Sequence, residues 1–287
     1  MYLDFYQLNE YPFAVGCDPK FFFESAAHAE ALASMLYTIR QRKGMVLVTG
    51  EVGAGKTFLA TMLGRRLGLG AVAAVVSHPP HSRKQLLRTV ARKLGLENTG
   101  GADRLDLAEA LEAYLARLHR RRQTVALVVD EAQDLPPQAL EELRLMWNWE
   151  REGQRLLQIV LMGQPDLRDR IREPRWEPLR QRIALACHLG PLSAEETEAY
   201  VAHRLRVASD GRSRAEFTPG ALRAIYEAVG GIPRLINTVA DDCLLVGYAK
   251  GRHRLDVDLV AEVLREMTCP ALGTTAPAPV RIETDSS

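Results

Sequence analysis

Eight consecutive residues, 50–57, have the types and spacing of a loop that binds phosphate. They read Gly-Glu-Val-Gly-Ala-Gly-Lys-Thr, which fits the pattern GxxxxGK[ST]. Glycines in such a loop let backbone N–H groups wrap around phosphate oxygens, and a helix that starts there adds partial positive charge. Lys56 is then placed to reach the β- and γ-phosphates of a nucleotide. Thr57 supplies a hydroxyl that can hold Mg²⁺.

The segments on either side of this loop support the assignment. An apolar run at 45–49 precedes it and a helical pattern begins at Phe58, and this order of strand, loop and helix is the context that the motif requires. The alternative is a glycine-rich turn that carries Lys-Thr by chance, which a second nucleotide motif downstream disfavours. We therefore predict an ATP contact at each of the following: Gly50, Glu51, Val52, Gly53, Ala54, Gly55, Lys56, Thr57 and Phe58.

The second motif is an unbroken apolar strand, 125–129, that ends in Asp130 and Glu131. A strand that is apolar on both faces suits a buried place in a parallel sheet, and ligands bind outside the carboxyl ends of such strands. We expect Asp130 to emerge beside Thr57 and assist Mg²⁺, and Glu131 to polarise an attacking water. The alternative is a strand that simply ends in a polar turn, and the presence of Lys56 and Thr57 upstream disfavours it.

Four more polar residues follow strands or begin helices where they could act on a nucleotide. Gln164 ends the apolar run 156–163 and could sense the γ-phosphate and orient water. Arg180 and Arg182 precede the last apolar run, and an arginine supplied by a neighbouring molecule can stabilise a transferring phosphoryl group; we favour Arg182 over Arg180. Arg234, in Gly-Gly-Ile-Pro-Arg, could contact the γ-phosphate. The alternatives are a plain turn residue and structural or solvated arginines.

The apolar pattern predicts an α/β fold with a five-stranded parallel sheet. Five strand candidates alternate with helical patterns, which is typical of a doubly wound sheet. The strands are expected at 45–49, 72–76, 125–129, 157–162 and 183–187, and the helices at 56–68, 82–95, 105–121 and 137–150.

The chain changes character after Pro191, where only helices are expected. A capping box at 193–196 opens the first, which extends to about Ser209, and Thr218-Pro219 opens the next. The predicted domains are a lead-in at 1–43, a nucleotide-binding core at 44–190, a helical lid at 191–268 and a disordered tail at 269–287. Gly100 and Gly101 mark a loop between two core helices.

Composition excludes few functions but places the protein in a reducing compartment. The 287 residues carry 37 basic and 36 acidic side chains, so overall charge does not favour nucleic acid. The four cysteines, Cys17, Cys187, Cys243 and Cys269, show neither CxxC nor zinc spacing. No apolar run approaches the ~18–20 residues of a membrane span, and the N-terminus does not read as a signal peptide. We expect a cytoplasmic protein.

Together these motifs resemble an AAA+ ATPase, and more closely the general secretion pathway protein A group, often called ExeA-type. The resemblance covers about 4–268 and rests on these segments: Tyr6–Phe13, Asp18–Phe21, Gly50–Thr57, Asp130–Gln133, Leu157–Leu167, Leu179–Ile183 and Gly230–Asn237. It implies a P-loop core with a helical lid, ATP and Mg²⁺ as ligands, an arginine acting in trans, and a homo-oligomer, plausibly a hexameric ring. It also implies partners among secretion or envelope-assembly proteins at the inner membrane, where the chain could be peripheral.

The chain departs from the group in three places. Members often carry Asn after the second strand to restrain the catalytic Glu, whereas this chain has Ser77 and His78. Longer members continue into a membrane helix and a peptidoglycan-binding domain, so contact with the cell wall is not carried over to this chain. Trp147 and Trp149 form an unusual pair, which we interpret as helix packing, with a partner surface as the alternative.

The function expected from these residues is Mg²⁺-dependent ATP hydrolysis that drives a secretion or cell-envelope export system. A second hypothesis is a DNA-binding AAA+ regulator of transposition, supported by the basic run at 117–122. That run also suits a helix C-terminus, the interpretation we prefer. A third hypothesis is a slow ATP-dependent switch, which the presence of Glu131 disfavours.

Overall fold

The structure is a computed structural model that describes residues 2–68, 70–96 and 101–267. The predicted tail, Cys269 and Gly100 lie outside the described residues. Two compact units form. The sheet unit comprises Gly16–Leu192 and Ile232–Arg234, and the helical unit comprises Met1–Val15, Ser193–Gly231 and Leu235–Ser287. The segment predicted as a lead-in, 1–43, is thus divided between the two units.

The elements follow one another in an alternating order up to residue 189 and are mainly helical beyond it. The strands are β1 (Met45–Gly50), β2 (Ala71–Val76), β3 (Thr124–Val129), β4 (Glu150–Arg151), β5 (Gln154–Arg155), β6 (Leu157–Gly163), β7 (Ile183–Leu189), β8 (Glu216–Phe217) and β9 (Arg254–Leu255). The helices are α1 (Tyr2–Tyr6), α2 (Ala26–Arg40), α3 (Lys56–Leu67), α4 (Arg83–Lys93), α5 (Arg104–Arg120), α6 (Pro137–Trp147), α7 (Pro165–Arg172), α8 (Glu177–Arg180), α9 (Ala194–Ser209), α10 (Pro219–Val229), α11 (Pro233–Ala249) and α12 (Val257–Met267).

The predicted five-stranded parallel sheet is confirmed. Its strands lie in the order β2-β3-β6-β1-β7, and each neighbouring pair is parallel. Strand β1 lies between β6 and β7, and it pairs with β6 from Met45 opposite Ile159 to Thr49 opposite Gly163. The carboxyl ends of β1, β3 and β6 therefore lie along one edge, which is where the predicted nucleotide residues follow these strands.

Both faces of the sheet are buried, since alternate strand residues enter two separate apolar clusters. Residues such as Leu47, Leu127 and Leu161 pack with helices α4 to α7. Their neighbours Val48 and Val128 pack on the other face with helices α2 and α3. This two-sided burial explains why β1, β3 and β6 are continuous apolar runs.

Local sequence signals set the helix starts. Ser25, Ser82 and Asp103 each accept a hydrogen bond from a backbone N–H in the first turn of α2, α4 and α5 respectively. Ser193 forms the predicted capping box with Glu196 at the start of α9, and Thr218 caps α10. Such caps satisfy N–H groups that a helix leaves without a partner.

The helical unit includes the start of the chain, which the pattern of apolar residues did not reveal. Tyr6 of α1 is fully buried and its hydroxyl donates to the Arg252 carbonyl at 3.0 Å. The buried Arg204 of α9 donates to the Pro12 and Ala14 carbonyls at 2.5 and 3.2 Å. These contacts fix residues 2–15 within this unit.

The expectation that only helices follow Pro191 is wrong in one detail. Strands β8 and β9 form a short parallel pair in which Phe217 lies beside Leu255. Two-residue strands are too short to show an alternating pattern, so periodicity does not detect them. Within the described parts of the chain, we find no helix with the length and apolar character needed to cross a bilayer.

Candidate nucleotide site

The loop between β1 and α3 has a backbone conformation that requires glycine. Gly53 and Gly55 have φ values of +87° and +97°, in the left-handed region that residues with a Cβ rarely adopt. A Cβ on Gly53 would lie 2.7 Å from Cβ of Arg234, and one on Gly55 would lie 2.8 Å from Nε2 of His28. The loop is thus tightly enclosed on both sides.

Lys56 is the first residue of α3 and is almost completely buried, with 5% of its surface exposed. Its Nζ donates to the carbonyls of Gly50 and Glu51 at 2.6 and 3.0 Å, so the ammonium is held against the backbone at the start of the loop. Burial lowers the pKa of Lys56, while the carboxylates of Glu131 and Asp130 act in the opposite direction. A cation held in this way attracts anions to the loop.

Thr57 and Asp130 form a direct pair. The Thr57 hydroxyl donates to Oδ2 of Asp130 at 2.6 Å, which joins the start of α3 to the end of β3. Asp130 is 2% exposed, and its other oxygen, Oδ1, accepts the backbone N–H of Glu131 at 3.0 Å. A hydroxyl and a carboxylate oxygen side by side are a suitable ligand pair for Mg²⁺.

Glu131 lies directly after this pair in a strained conformation. Its φ and ψ are +51° and +39°, which is uncommon for a residue with a side chain. Such backbone strain concentrates at functional sites, where the surrounding structure maintains it. The carboxylate accepts a hydrogen bond from Nε2 of Gln133 at 2.8 Å.

Gln133 is a site residue that the sequence reasoning did not select. Its Oε1 accepts the backbone N–H of Gln164 at 3.1 Å, while its Nε2 faces Glu131. The Gln133 carbonyl accepts from Arg170 at 2.8 Å. A glutamine four residues after the end of a strand carries no periodic signal, so only the Asp-Glu-Ala-Gln segment as a whole could have directed attention to it.

The remaining strand-end residues occupy the same edge. Gln164 follows β6 and reaches Glu131 through Gln133, by its backbone rather than its side chain. His78, the residue considered as a restraint on Glu131, is exposed beyond the end of β2. Gln133 is the residue whose side chain bonds the Glu131 carboxylate.

A histidine and an aromatic pair support the phosphate-binding loop from α2 and the segment before it. His28, 5% exposed, contacts the Ala54 carbonyl through Nε2 at 3.1 Å, while its Nδ1 lies 2.7 Å from the Ser25 hydroxyl. Phe58 packs against the ring of Phe22, with centroids 5.3 Å apart. Neither Ser25 nor His28 belongs to a recognisable motif, so the sequence did not indicate them.

Arg234 lies close to the phosphate-binding loop. It belongs to the sheet unit with Ile232 and Pro233, and its Cβ approaches Gly53 closely enough to exclude a side chain there. The positive charges of Arg234 and Lys56 repel each other, so Arg234 acts to lower the pKa of the Lys56 ammonium. The prediction that Arg234 contacts a γ-phosphate stays a prediction.

The two arginines before β7 differ in how their own subunit holds them. Arg182 donates to the Pro178 carbonyl and, at 3.3 Å, to the Asn148 side chain, and its guanidinium lies 5.4 Å from the ring centroid of Trp147. Arg180 is exposed and has a hydrogen bond of 2.9 Å to the Arg172 carbonyl. Arg180 therefore has fewer local contacts to break than Arg182, although the sequence favoured Arg182.

The arrangement fits a nucleotide with its metal. The loop offers backbone N–H groups at a helix start, a buried lysine beside them and a hydroxyl–carboxylate pair next to that lysine. These are the groups that hold phosphate oxygens and Mg²⁺ in P-loop proteins. Glu131 follows Asp130 directly, and its carboxylate could act on a water next to the Thr57–Asp130 pair.

Comparison with known proteins agrees with this geometry. The AAA domain family matches residues 39–171. General secretion pathway protein A of Aeromonas hydrophila is 39% identical over 265 residues, which are 91% of this chain. The chain thus has the AAA fold and is similar to general secretion pathway protein A over nearly all of its own length. It spans about half, 48%, of the length of that relative.

Solved structures of low sequence identity share the fold. The ORC2 protein of Aeropyrum pernix, determined in ADPNP and ADP complexes, has a TM-score of 0.70 at 20% identity, covering 92% of this chain and 72% of its own. CDC6P of Pyrobaculum aerophilum has a TM-score of 0.68 at 17% identity, covering 89% and 70%. At these identities the similarity establishes the AAA fold and carries nothing further.

Proposed function

We propose that the protein is a Mg²⁺-dependent ATPase whose hydrolysis drives the assembly or operation of a secretion or cell-envelope export system. The observation that carries the enzymatic part is that α3 begins with Lys56 and Thr57 beside the end of β3, where Thr57 donates to Asp130 and Asp130 accepts the N–H of Glu131. The secretion role rests on the relative from Aeromonas hydrophila, which is about twice as long as this chain.

Each residue has a defined task in this proposal. The loop N–H groups and Lys56 bind the phosphates, and Thr57 and Asp130 hold the metal. Mg²⁺, when bound, neutralises charge on the phosphate oxygens. Glu131 takes a proton from, or orients, the attacking water, and Gln164 and Arg234 adjoin the phosphate end of the site. Phe58 flanks the nucleotide next to the loop.

Hydrolysis in this scheme requires more than one copy of the chain. Arg182 or Arg180 reaches the site of a neighbouring copy and stabilises charge on the transferred phosphoryl group. The assembly is a homo-oligomer, plausibly a six-membered ring. It works in the cytoplasm at the inner membrane, with secretion or envelope-assembly proteins as partners.

Steady-state ATP hydrolysis by the purified protein tests the proposal. We expect turnover that depends on Mg²⁺, rises more than linearly with protein concentration, and falls on the order of 10²–10⁴-fold in Glu131→Gln, because a general base supplies about that factor. Nucleotide affinity should change little in that variant. Equal turnover of the wild type and Glu131→Gln would remove Glu131 from the mechanism.

A second candidate, a DNA-dependent ATPase, is supported by one surface of the sheet unit. Arg120, Arg121 and Arg122 are exposed at the end of α5, close to Arg42, whose guanidinium lies 3.1 Å from Nδ1 of His119. Basic residues at a helix end also stabilise the helix dipole, which accounts for part of this charge. Duplex DNA in the same assay decides: stimulation that is lost as salt rises would favour this candidate.

A further inference from the structure

The side chain of Gln133 connects two parts of the nucleotide site that are remote in sequence. Its Nε2 donates to Oε2 of Glu131 at 2.8 Å, and its Oε1 accepts the backbone N–H of Gln164 at 3.1 Å. A backbone N–H can only donate, so the atom that faces Gln164 must be the oxygen. The amide nitrogen therefore faces Glu131, and it also donates to Oδ2 of Asp134 at the longer distance of 3.4 Å.

The surroundings hold Gln133 in this orientation. Gly163 provides the space, because a Cβ there would lie 2.6 Å from Oε1 of Gln133. Arg170 donates to the Gln133 carbonyl at 2.8 Å, and its guanidinium lies 5.8 Å from the ring centroid of Trp176. The hydrogen bond from Arg170 to the Gln133 carbonyl, the hydrogen bonds of the Gln133 side chain and the space beside Gly163 thus favour one position of the amide.

We propose that Gln133 is a positioning residue that holds the Glu131 carboxylate at a fixed distance from the end of β6. This inference rests on the proposed function, in which Glu131 acts on water. The backbone of Glu131 leaves the extended conformation of β3 for the left-handed region, so the strand does not set where the carboxylate lies and a partner must define it. Gln133 is that partner, and any shift of the turn at Gln164 is transmitted to Glu131.

Two substitutions separate this role from simple support of the turn. Gln133→Glu keeps an oxygen for the Gln164 N–H but replaces the donor to Glu131 with a repelling carboxylate. Gln133→Met has a similar length and loses both hydrogen bonds. Gln138→Glu is the matched control, since Gln138 is exposed at the start of α6 and its substitution brings the same change of charge.

Turnover, nucleotide affinity and amide hydrogen exchange at Gln164 are measured together. For Gln133→Glu we expect turnover to fall about 10- to 100-fold, with nucleotide affinity and Gln164 exchange within about threefold of wild type. Gln133→Met should lower turnover and also speed Gln164 exchange. The control should match wild type. Wild-type turnover in Gln133→Glu would overturn the proposal.

A reversed pair distinguishes failure of this inference from failure of the proposed function. Gln133→Glu alone places two carboxylates together and should lower the melting temperature, whereas Glu131→Gln with Gln133→Glu re-forms a hydrogen bond of opposite polarity and should restore it. This thermal cycle needs no hydrolysis. A wild type without turnover would remove the proposed function, while an absent recovery in the cycle would remove the hydrogen bond on which the inference depends.

Discussion

At the scale of single residues, the phosphate-binding loop depends on a histidine outside its motif. His28 contacts the Ala54 carbonyl at 3.1 Å and fills the space where Gly55 would otherwise carry a side chain. The Ser25 hydroxyl lies 2.7 Å from Nδ1, and because it can donate to that nitrogen, Nε2 is left as the donor to the loop. His28 and Ser25, which lie outside the motif, thereby support the conformation of the loop.

We predict that His28→Leu weakens nucleotide binding. The Ala54 carbonyl would lose its donor, a loss on the order of 1 kcal/mol, so Kd should rise about 5- to 10-fold. Fluorescence anisotropy with a labelled ATP analogue measures this. His78→Leu is the control, as His78 is exposed, and its Kd should stay within about twofold of wild type. Equal Kd values for both variants would show that the loop holds its shape without His28.

At the scale of elements, an ion pair between the partly exposed Arg104 and the buried Glu142 joins α5 to α6. Glu142 is 1% exposed and accepts three hydrogen bonds from Arg104, of 2.8 to 3.1 Å. Arg83 of α4 adds a more distant contact at 4.0 Å. Because the Glu142 carboxylate is buried away from water, its charged form depends on these two arginines for stabilisation.

We predict that Arg104→Ala destabilises the sheet unit by about 3 kcal/mol, since it leaves Glu142 buried without its main partner. Arg223→Ala breaks an exposed pair with Glu227 and should cost less than about 1 kcal/mol. Urea unfolding followed by circular dichroism compares the two variants. Replacing Arg104 and Glu142 together by Met should recover most of the loss. Similar midpoints for Arg104→Ala and Arg223→Ala would contradict the assignment.

The elements also show which parts of the fold and of the site could be predicted from the sequence alone. Buried parallel strands are apolar on both faces and helices carry caps, so β1, β3, β6 and the start of α9 could be predicted closely. The Lys56–Thr57 motif and the Asp130–Glu131 pair could be predicted because the chemistry requires fixed spacing. Gln133 and His28 could not, because their contacts are made through space. The placement of α1 in the helical unit depends on partners that are distant in sequence, such as Arg252, which is 246 residues from Tyr6.

At the scale of the whole molecule, the proposed function places an arginine of one copy of the chain at the nucleotide site of another. Arg180 is exposed, whereas Arg182 has several contacts within its own chain. To supply an arginine to a neighbouring site, an assembly would either use Arg180 or break the contacts of Arg182. Either route predicts that one subunit can complete the site of another.

We predict that two inactive variants restore activity when mixed. Glu131→Gln retains its arginines, whereas Arg180→Ala with Arg182→Ala retains Glu131. In a mixed oligomer, some sites combine an intact Glu131 with an intact arginine, so turnover should exceed the sum of the separate rates. The single arginine variants then identify which residue acts. A mixture that is only additive would exclude action in trans.

The path of the chain between its two units has a consequence for synthesis. The chain begins in the helical unit, passes into the sheet unit at Gly16 and returns at Ser193. Nearly all of the sheet unit is therefore synthesised before α9, whereas Arg252, the hydrogen-bond partner of the buried Tyr6 of α1, is synthesised later still. At about 5–20 residues per second, translation of 193–267 takes roughly 4–15 s. During that interval the tyrosines and phenylalanines of residues 2–15 have no native surface to cover them, so we expect chaperones to bind this segment of the nascent chain.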